Sequence, residues 1–353
     1  MKKTIPALLF ATLMILFANN AQAQAKWAKN VAKTTFTLKT FAANGNLIGS
    51  CCGFYVGTDG EAVANFAPFK GASRAVVIDA NGVEQQVECI IGANDIYDVA
   101  KFKVSASKTQ PVTLAASALQ KDNIAWFMPY AVKKTPEAVM GTVTRVEQPA
   151  DKYSYYTLQM QVPETAGGCP VLNDNGEVVG IMQQPASGDK DGYATDVRMA
   201  TDLTAKPLMI NDPTLSQTML KKALPDDIKE ATVTLMTMQT MADSLTLATT
   251  IDDFIKKFPN SSEGYKSRAQ SHVRAGRHAD ADRDMQQAIK TGTELDDTYY
   301  TYARMIYSHQ LYEQPEKQYA PWTLEFAEDM LEFLLIMYST NGVCEWLIPV
   351  LQQ

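Results

Sequence analysis

The spacing of apolar residues changes once along the chain, near residue 210, and that change limits what each half can fold into. From about Lys33 to Asp202 the apolar residues come in short runs: Thr35-Phe36-Thr37-Leu38, Gly53-Phe54-Tyr55-Val56, Ala75-Val76-Val77-Ile78 and Tyr155-Tyr156-Thr157-Leu158. Between such runs lie Asn44-Gly45, Asp59-Gly60, Asn81-Gly82 and Asn175-Gly176, dipeptides that close hairpins because the turn positions need positive φ. Many short strands without intervening helical patterns argue for a barrel or sandwich rather than alternating β–α units. After Pro213 glycines become sparse, and apolar positions recur every three or four residues, as amphipathic helices require. A length of 353 residues accommodates both halves as separate domains. The chain is therefore expected to hold an N-terminal segment at 1–23, a β-rich domain at 24–210 and a helical domain at 211–353.

The N-terminal segment reads as an address. Met1-Lys2-Lys3 is a positive leader, Ala7 to Ala18 is apolar, and Ala21-Gln22-Ala23 is the small-x-small pattern read by a signal peptidase. Export with cleavage after Ala23 follows, to the periplasm or the extracellular space; the competing reading is an uncleaved anchor. No Cys directly follows the apolar stretch, which argues against a lipoprotein. The formal charge of −7 becomes −9 once Lys2 and Lys3 are removed. An acidic chain without a basic run is poorly suited to nucleic acid or an anionic membrane, so the expected partner is a protein or an extended peptide. An oxidising compartment would let the five cysteines pair. Neither Cys-x-x-Cys nor His-x-x-His spacing occurs, so no metal is expected, and no cofactor is implied.

In the helical half, Tyr265, Ala269, Gly276, Ala281 and Ala288 stand where a tetratricopeptide repeat places an aromatic, the small residues at the contact of its two helices, and the turn between them. This resemblance divides the half into units of about 34 residues: a degenerate one at Asp226–Pro259, a well-matched one at Asn260–Thr293, and a third from Glu294 with an insertion around Gln314 to Tyr319. Tyr299 and Ala303 repeat the aromatic and small residue of Tyr265 and Ala269. The competing reading is an unremarkable helical bundle. The tail from Leu331 is unusually apolar; either something else covers that face or the solenoid stops early. The run Leu331-Glu332-Phe333-Leu334-Leu335-Ile336 could bury itself in a second copy.

Within the β-rich half, three segments in order resemble the chymotrypsin/trypsin-like serine endopeptidases, particularly their bacterial periplasmic branch. Gly53 to Ala67 is similar to a hairpin that in the family ends in the catalytic His; here Ala64-Asn65-Phe66-Ala67 puts Ala67 in that slot. Asp95-Ile96-Tyr97-Asp98-Val99-Ala100 is similar to the segment carrying the Asp that orients the His, which matches Asp98. Thr165-Ala166-Gly167-Gly168-Cys169-Pro170 stands where the family writes Gly-x-Ser-Gly-Gly-Pro, so Gly167 occupies the nucleophile position. The resemblance implies a trypsin-like double β-barrel, followed here by a tetratricopeptide-repeat solenoid.

Triad acyl transfer needs a hydroxyl or thiol nucleophile and a nearby base. Gly167 and Ala67 supply neither, and the three histidines all lie beyond Gln270. Cys169 sits two positions past the nucleophile slot, with nothing nearby in sequence to favour its thiolate. Asp98 is then expected to be a remnant accepting backbone hydrogen bonds. The expectation is accordingly that the chain is not an enzyme but a pseudo-protease that binds polypeptide, with no catalytic residues. The alternative is a serine-type endopeptidase with a non-standard site acting in the cell envelope; a third reading makes the barrels a mere scaffold for the repeats. Adjacent Cys51 and Cys52 point to opposite faces of a strand, which disfavours a bond between them. In the family fold that strand passes near the nucleophile loop, so the resemblance implies a disulfide from Cys51 or Cys52 to Cys169. Cys89 is the competing partner, and buried thiols that never pair are the other alternative.

Overall fold

The structure, a computed structural model, describes residues 27–340 apart from 107, 130–136, 150–151, 187, 189–190 and 208. The signal segment at 1–23 lies outside the described residues. Contacts divide the chain into two units, one ending at Ala223 and the other starting at Leu224.

A short helix α1 (residues 27–32) precedes the first barrel. That barrel is built from β1 (Thr35–Phe41), β2 (Leu47–Tyr55), β3 (Glu61–Ala64), β4 (Arg74–Asp79), β5 (Glu84–Asn94) and β6 (Val99–Val104), closed in the order β1-β2-β3-β6-β5-β4. Strand β6 shows why: Ala100, Phe102 and Val104 point inward, while Lys101 and Lys103 alternate outward to meet Glu61 and Asp59. The interior is filled by Phe36, Leu38, Phe69, Val77, Ile90 and Phe102. The second barrel contains β7 (Ile124–Phe127), β8 (Val139–Glu147), β9 (Tyr155–Gln159), β10 (Pro170–Leu172), β11 (Val178–Met182) and β12 (Gly192–Asp196), closed as β10-β11-β12-β9-β8-β7. Phe127, Val143, Tyr156, Leu158, Val171 and Ala194 pack inside it. Closure removes the open edges that would otherwise invite pairing with other chains.

Outward-facing apolar residues of both barrels form a third core. Phe54, Val63 and Val99 meet Leu172, Val178, Ile181 and Val197, so the end of β2, β10 and β11 are buried on both faces. Helix α2 (Arg198–Asp202) follows β12. Residues 217–223, which the sequence texture assigns to the helical half, pack instead on the first barrel. Ile90 N–H donates to Lys221 O at 2.7 Å, Ala223 N–H to Ile90 O at 2.8 Å and Met219 N–H to Ala72 O at 2.9 Å.

The second unit is helical: α3 (Ile228–Met241), α4 (Ser244–Lys257), α5 (Ser262–Arg274), α6 (His278–Thr291), α7 (Leu295–Tyr312) and α8 (Leu324–Thr340). Asp227, Asp243 and Ser261 cap α3, α4 and α5 by accepting backbone N–H groups of each first turn. Ala269 and Ala281 are fully buried in one cluster with Met285, Tyr302 and Ile306, and Ala288 is buried as well. Tyr265 donates its hydroxyl to Pro259 O at 3.2 Å, and Gly276 adopts φ 69° in the α5–α6 turn. Arg268 grips Asp284 across these helices with bonds of 3.0 and 2.7 Å. The segment between α7 and α8 carries the fully buried Trp322, whose Nε1–H donates to Asp282 at 2.8 Å.

Candidate functional site

Of the three positions singled out in the β-rich half, Ala67 and Asp98 are hydrogen-bonded to each other, and Gly167 is bonded to Cys52 of the first barrel. Asp98 sits at the start of the β6 hairpin with φ 49°, a conformation rare outside glycine. The turn aims its carboxylate at the 3₁₀ turn Ala67–Phe69, and Ala67 N–H donates to Asp98 Oδ1 at 2.6 Å. The Asp98 carbonyl accepts from Asn65 Nδ2 at 3.2 Å and from Phe66 N–H at 3.3 Å. Burial pushes the Asp98 carboxyl above its usual range, against the bonds from Ala67 and Phe66 and the charge of Lys70, which favour the carboxylate.

On the facing side, Gly167 ends the short 3₁₀ turn Glu164–Ala166. Its carbonyl accepts from Cys52 N–H at 2.8 Å, joining β2 of the first barrel to the loop before β10. Gly168 follows with φ 81°, and a Cβ there would lie 1.9 Å from Cys52 O and 3.3 Å from Asn65 Oδ1. Only glycine permits this approach of two main chains. A Cβ on Gly167 would meet Gln184 Oε1 at 2.3 Å, so the Gln184 amide fills the space a side chain at 167 would claim. Gln184 is held there by its Nε2–H bond to Glu164 O at 2.5 Å. Beside it, Gln183 Nε2 donates to Thr195 Oγ1 at 3.0 Å, and that hydroxyl donates to Tyr97 O at 3.0 Å. Asn65 Oδ1 is buried with no hydrogen-bond partner among the described residues.

Asn65 stands in the Ala64–Ala67 motif but was given no role of its own, and Gln183 and Gln184 escaped the sequence reading of the site. The two glutamines carry no periodic or motif signal, and only the folded chain brings Gln184 against Gly167.

The cysteines divide between the two cores. Cys51 packs inside the first barrel, and Cys52, its neighbour on the strand, turns the other way into the second barrel's core beside Cys169. Burial and the neighbouring Cys169 thiol raise the Cys52 thiol well above its ordinary value. Burial and the nearby Asp98 charge raise the Cys51 thiol far above its ordinary value, which makes it a poor nucleophile. Cys89 stands in β5 of the first barrel, opposite Lys103.

Residues 51–181 match the profile of the trypsin-like peptidase domain. No protein of curated function matches the chain. Among solved structures, the active form of the Rv3671c protease from M. tuberculosis is similar at 16% identity and TM-score 0.44, covering 52% of this chain and 84% of that one. A serine endoprotease from Yersinia pestis is similar at 15% identity and TM-score 0.43, over 50% of this chain and 64% of that one.

The peptidase-domain match corrects one expectation. The chain was expected not to be an enzyme, on the ground that Ala67 and Gly167 stand at the base and nucleophile positions. What matches residues 51–181 is a peptidase domain. That expectation bore on one route, acyl transfer by a Ser-His-Asp triad, and Ala67 and Gly167 do not establish inactivity, because a carboxylate can also move protons in hydrolysis.

Proposed function

We propose that the protein is an exported, protease-like protein acting on extended polypeptide in the cell envelope. Peptide-bond hydrolysis is served by a non-standard site centred on Asp98 in place of a serine triad. The observation that carries this reading is the match of residues 51–181 to the trypsin-like peptidase domain. The environment of Asp98 adds to it: a carboxyl whose proton affinity is raised by burial is better matched to proton transfer near neutral pH than an exposed one. Export is supported by the sequence of residues 1–23; among the described residues no helix is long and apolar enough to cross a membrane. The helical unit is proposed to be a tetratricopeptide-like array presenting a surface to a polypeptide partner, supported by Tyr265, Ala269, Gly276, Ala281 and Ala288 at the two-helix contact and turn.

The test is incubation of the purified mature chain with unfolded casein and a peptide library, with products read by mass spectrometry. Cleavage by the wild type, lost in Asp98→Asn and insensitive to fluorophosphonate, is the expected result. No cleavage by the folded wild type overturns the reading. Cleavage that persists in Asp98→Asn, or specific fluorophosphonate labelling of a serine, removes Asp98 from the centre of the site. N-terminal sequencing of the secreted product should begin at Gln24.

A further inference from the structure

Strand β2 of the first barrel carries two adjacent cysteines that pack in different cores, Cys51 in the first barrel's and Cys52 in the second's, the core that holds Cys169. Cys51 is enclosed by the first barrel with Phe36, Leu38 and Phe69. The alternation of the strand sends Cys52 into the second barrel's core, where Cys169 lies among Ala166, Val171 and Met182. Both are closed off from solvent, at 3% and 1% exposure. The main chain of Cys52 is locked to the two residues before Cys169: Cys52 N–H bonds to Gly167 O at 2.8 Å, and Gly168 is pressed so close to Cys52 O that no Cβ fits. The two thiols belong to the same core cluster, and the Cys169 thiol is among the neighbours that raise the Cys52 thiol. Both cysteines are thiols in the structure, and this main-chain contact holds Cys52 against the loop that carries Cys169.

We propose that Cys52 and Cys169 form a disulfide that fastens the first barrel to the loop before β10 of the second, while Cys51 stays a thiol. The bond forms by exchange with a small disulfide such as oxidised glutathione. One cysteine thiolate attacks that disulfide and expels a glutathione thiolate; the second cysteine attacks the mixed disulfide and expels the other. The two cysteines are oxidised, the glutathione disulfide is reduced to two thiols, and the two cysteine protons end on them. Exchange precedes closure of the barrels, because burial holds the folded Cys52 thiol well above its ordinary value and so withholds the thiolate. Once enclosed, the bond is equally shielded from reductants. The cross-link spans a long stretch of chain that includes most of both barrels, the case in which restricting the unfolded state stabilises most. This inference is independent of the proposed hydrolysis, since neither sulfur is given a part in it.

The mature full-length chain, refolded with oxidised and reduced glutathione, should be alkylated under denaturing conditions without reductant, digested and mapped. A Cys52–Cys169 linked peptide is expected, with Cys51 alkylated. Because Cys51 and Cys52 share a peptide, Cys51→Ala should keep the link and Cys52→Ala should lose it. Alkylation of both Cys52 and Cys169 in the refolded wild type overturns the proposal, as does a link that survives in Cys52→Ala. The wild type supplies a second reading without any variant. Its barrel unit should melt roughly 10 °C lower after reduction in denaturant and refolding under reductant, and an unchanged melting point overturns the stapling role.

Discussion

At the scale of single residues, the contact between Gly168 and Cys52 bears most directly on whether the two barrels can meet. Gly168 and Gly276 share a positive φ, 81° and 69°, yet a methyl group on Gly276 meets nothing within 4 Å while one on Gly168 meets Cys52 O at 1.9 Å. Gly276→Ala should therefore cost about 1 kcal/mol, the backbone strain alone. Gly168→Ala adds a clash between main chains that no rotamer relieves, and should cost about 3 kcal/mol or prevent folding. Thermal melts of the two variants check the contrast, and equal losses would refute the geometry. Asp98 gives a second prediction. Its raised folded value means that the native state holds the proton more tightly than the unfolded chain, so its contribution is full at low pH and is lost as pH rises through the folded value. Asp98→Asn keeps an oxygen to accept from Ala67 N–H but carries no charge. It should melt above the wild type at about pH 7 and level with it near about pH 3, so any activity it loses is not lost through unfolding. Ala67, Asp98 and Gly167 were singled out because each stands at a fixed place in a short motif. Gln184 was not: its role is to fill a space defined by residues far away in sequence.

Among the elements, hairpins were the easiest to read. An Asn-Gly or Asp-Gly pair states both the turn and the register of the strands it joins, and Gly45, Gly60, Gly82 and Gly176 all adopt positive φ in the fold. The connection between α7 and α8 was opaque by comparison. Its residues have no period, and what orders it is a set of single bonds: Tyr319 N–H to His309 Nε2 at 2.7 Å, Gln310 to the Trp322 carbonyl, and Trp322 Nε1–H to Asp282. His309 serves as an acceptor here, which it can do only when neutral. Burial, with the charge of His278 behind it, lowers its proton affinity below the ordinary 6.5, and Glu313 opposes the shift. A lowered folded value contributes stability that is present above the unfolded value and lost as pH falls through the folded one. The helical unit should then weaken as pH drops below about 6.5, seen as faster amide exchange at Tyr319 and along α7. His272, also lowered by burial, contributes to the same slope in the unit as a whole. His309→Gln should therefore flatten the pH dependence at Tyr319 and leave the part due to His272. An unchanged profile at Tyr319 in that variant would show that the bond is not what responds.

For the molecule as a whole, the boundary between the units tests how far texture can stand in for contact. The change in apolar spacing falls near residue 210, and a chain cut there retains all twelve strands. Residues 211–223 nevertheless belong physically to the barrels. Leu215 and Leu220 sit in the first barrel's core, and the stretch from Gln217 to Ala223 pairs by its main chain with Gly71, Ala72 and Ile90. Such pairing uses N–H and C=O groups that every residue possesses, so it leaves no mark in the pattern of side chains. Burial of two leucines at about 2 kcal/mol each, together with several main-chain bonds, is a large part of the stability of an ordinary domain. A protein comprising residues 24–223 should therefore melt cooperatively, close to the barrel transition of the intact chain. One ending at residue 210 should melt at least 10 °C lower, on the order of 2–4 °C for each kcal/mol lost in a unit of this size, and should bind a hydrophobic dye at the uncovered faces of Phe69 and Ile90. Equal melting of the two would mean that residues 211–223 merely rest on the barrel, and that the domain ends where the apolar spacing changes.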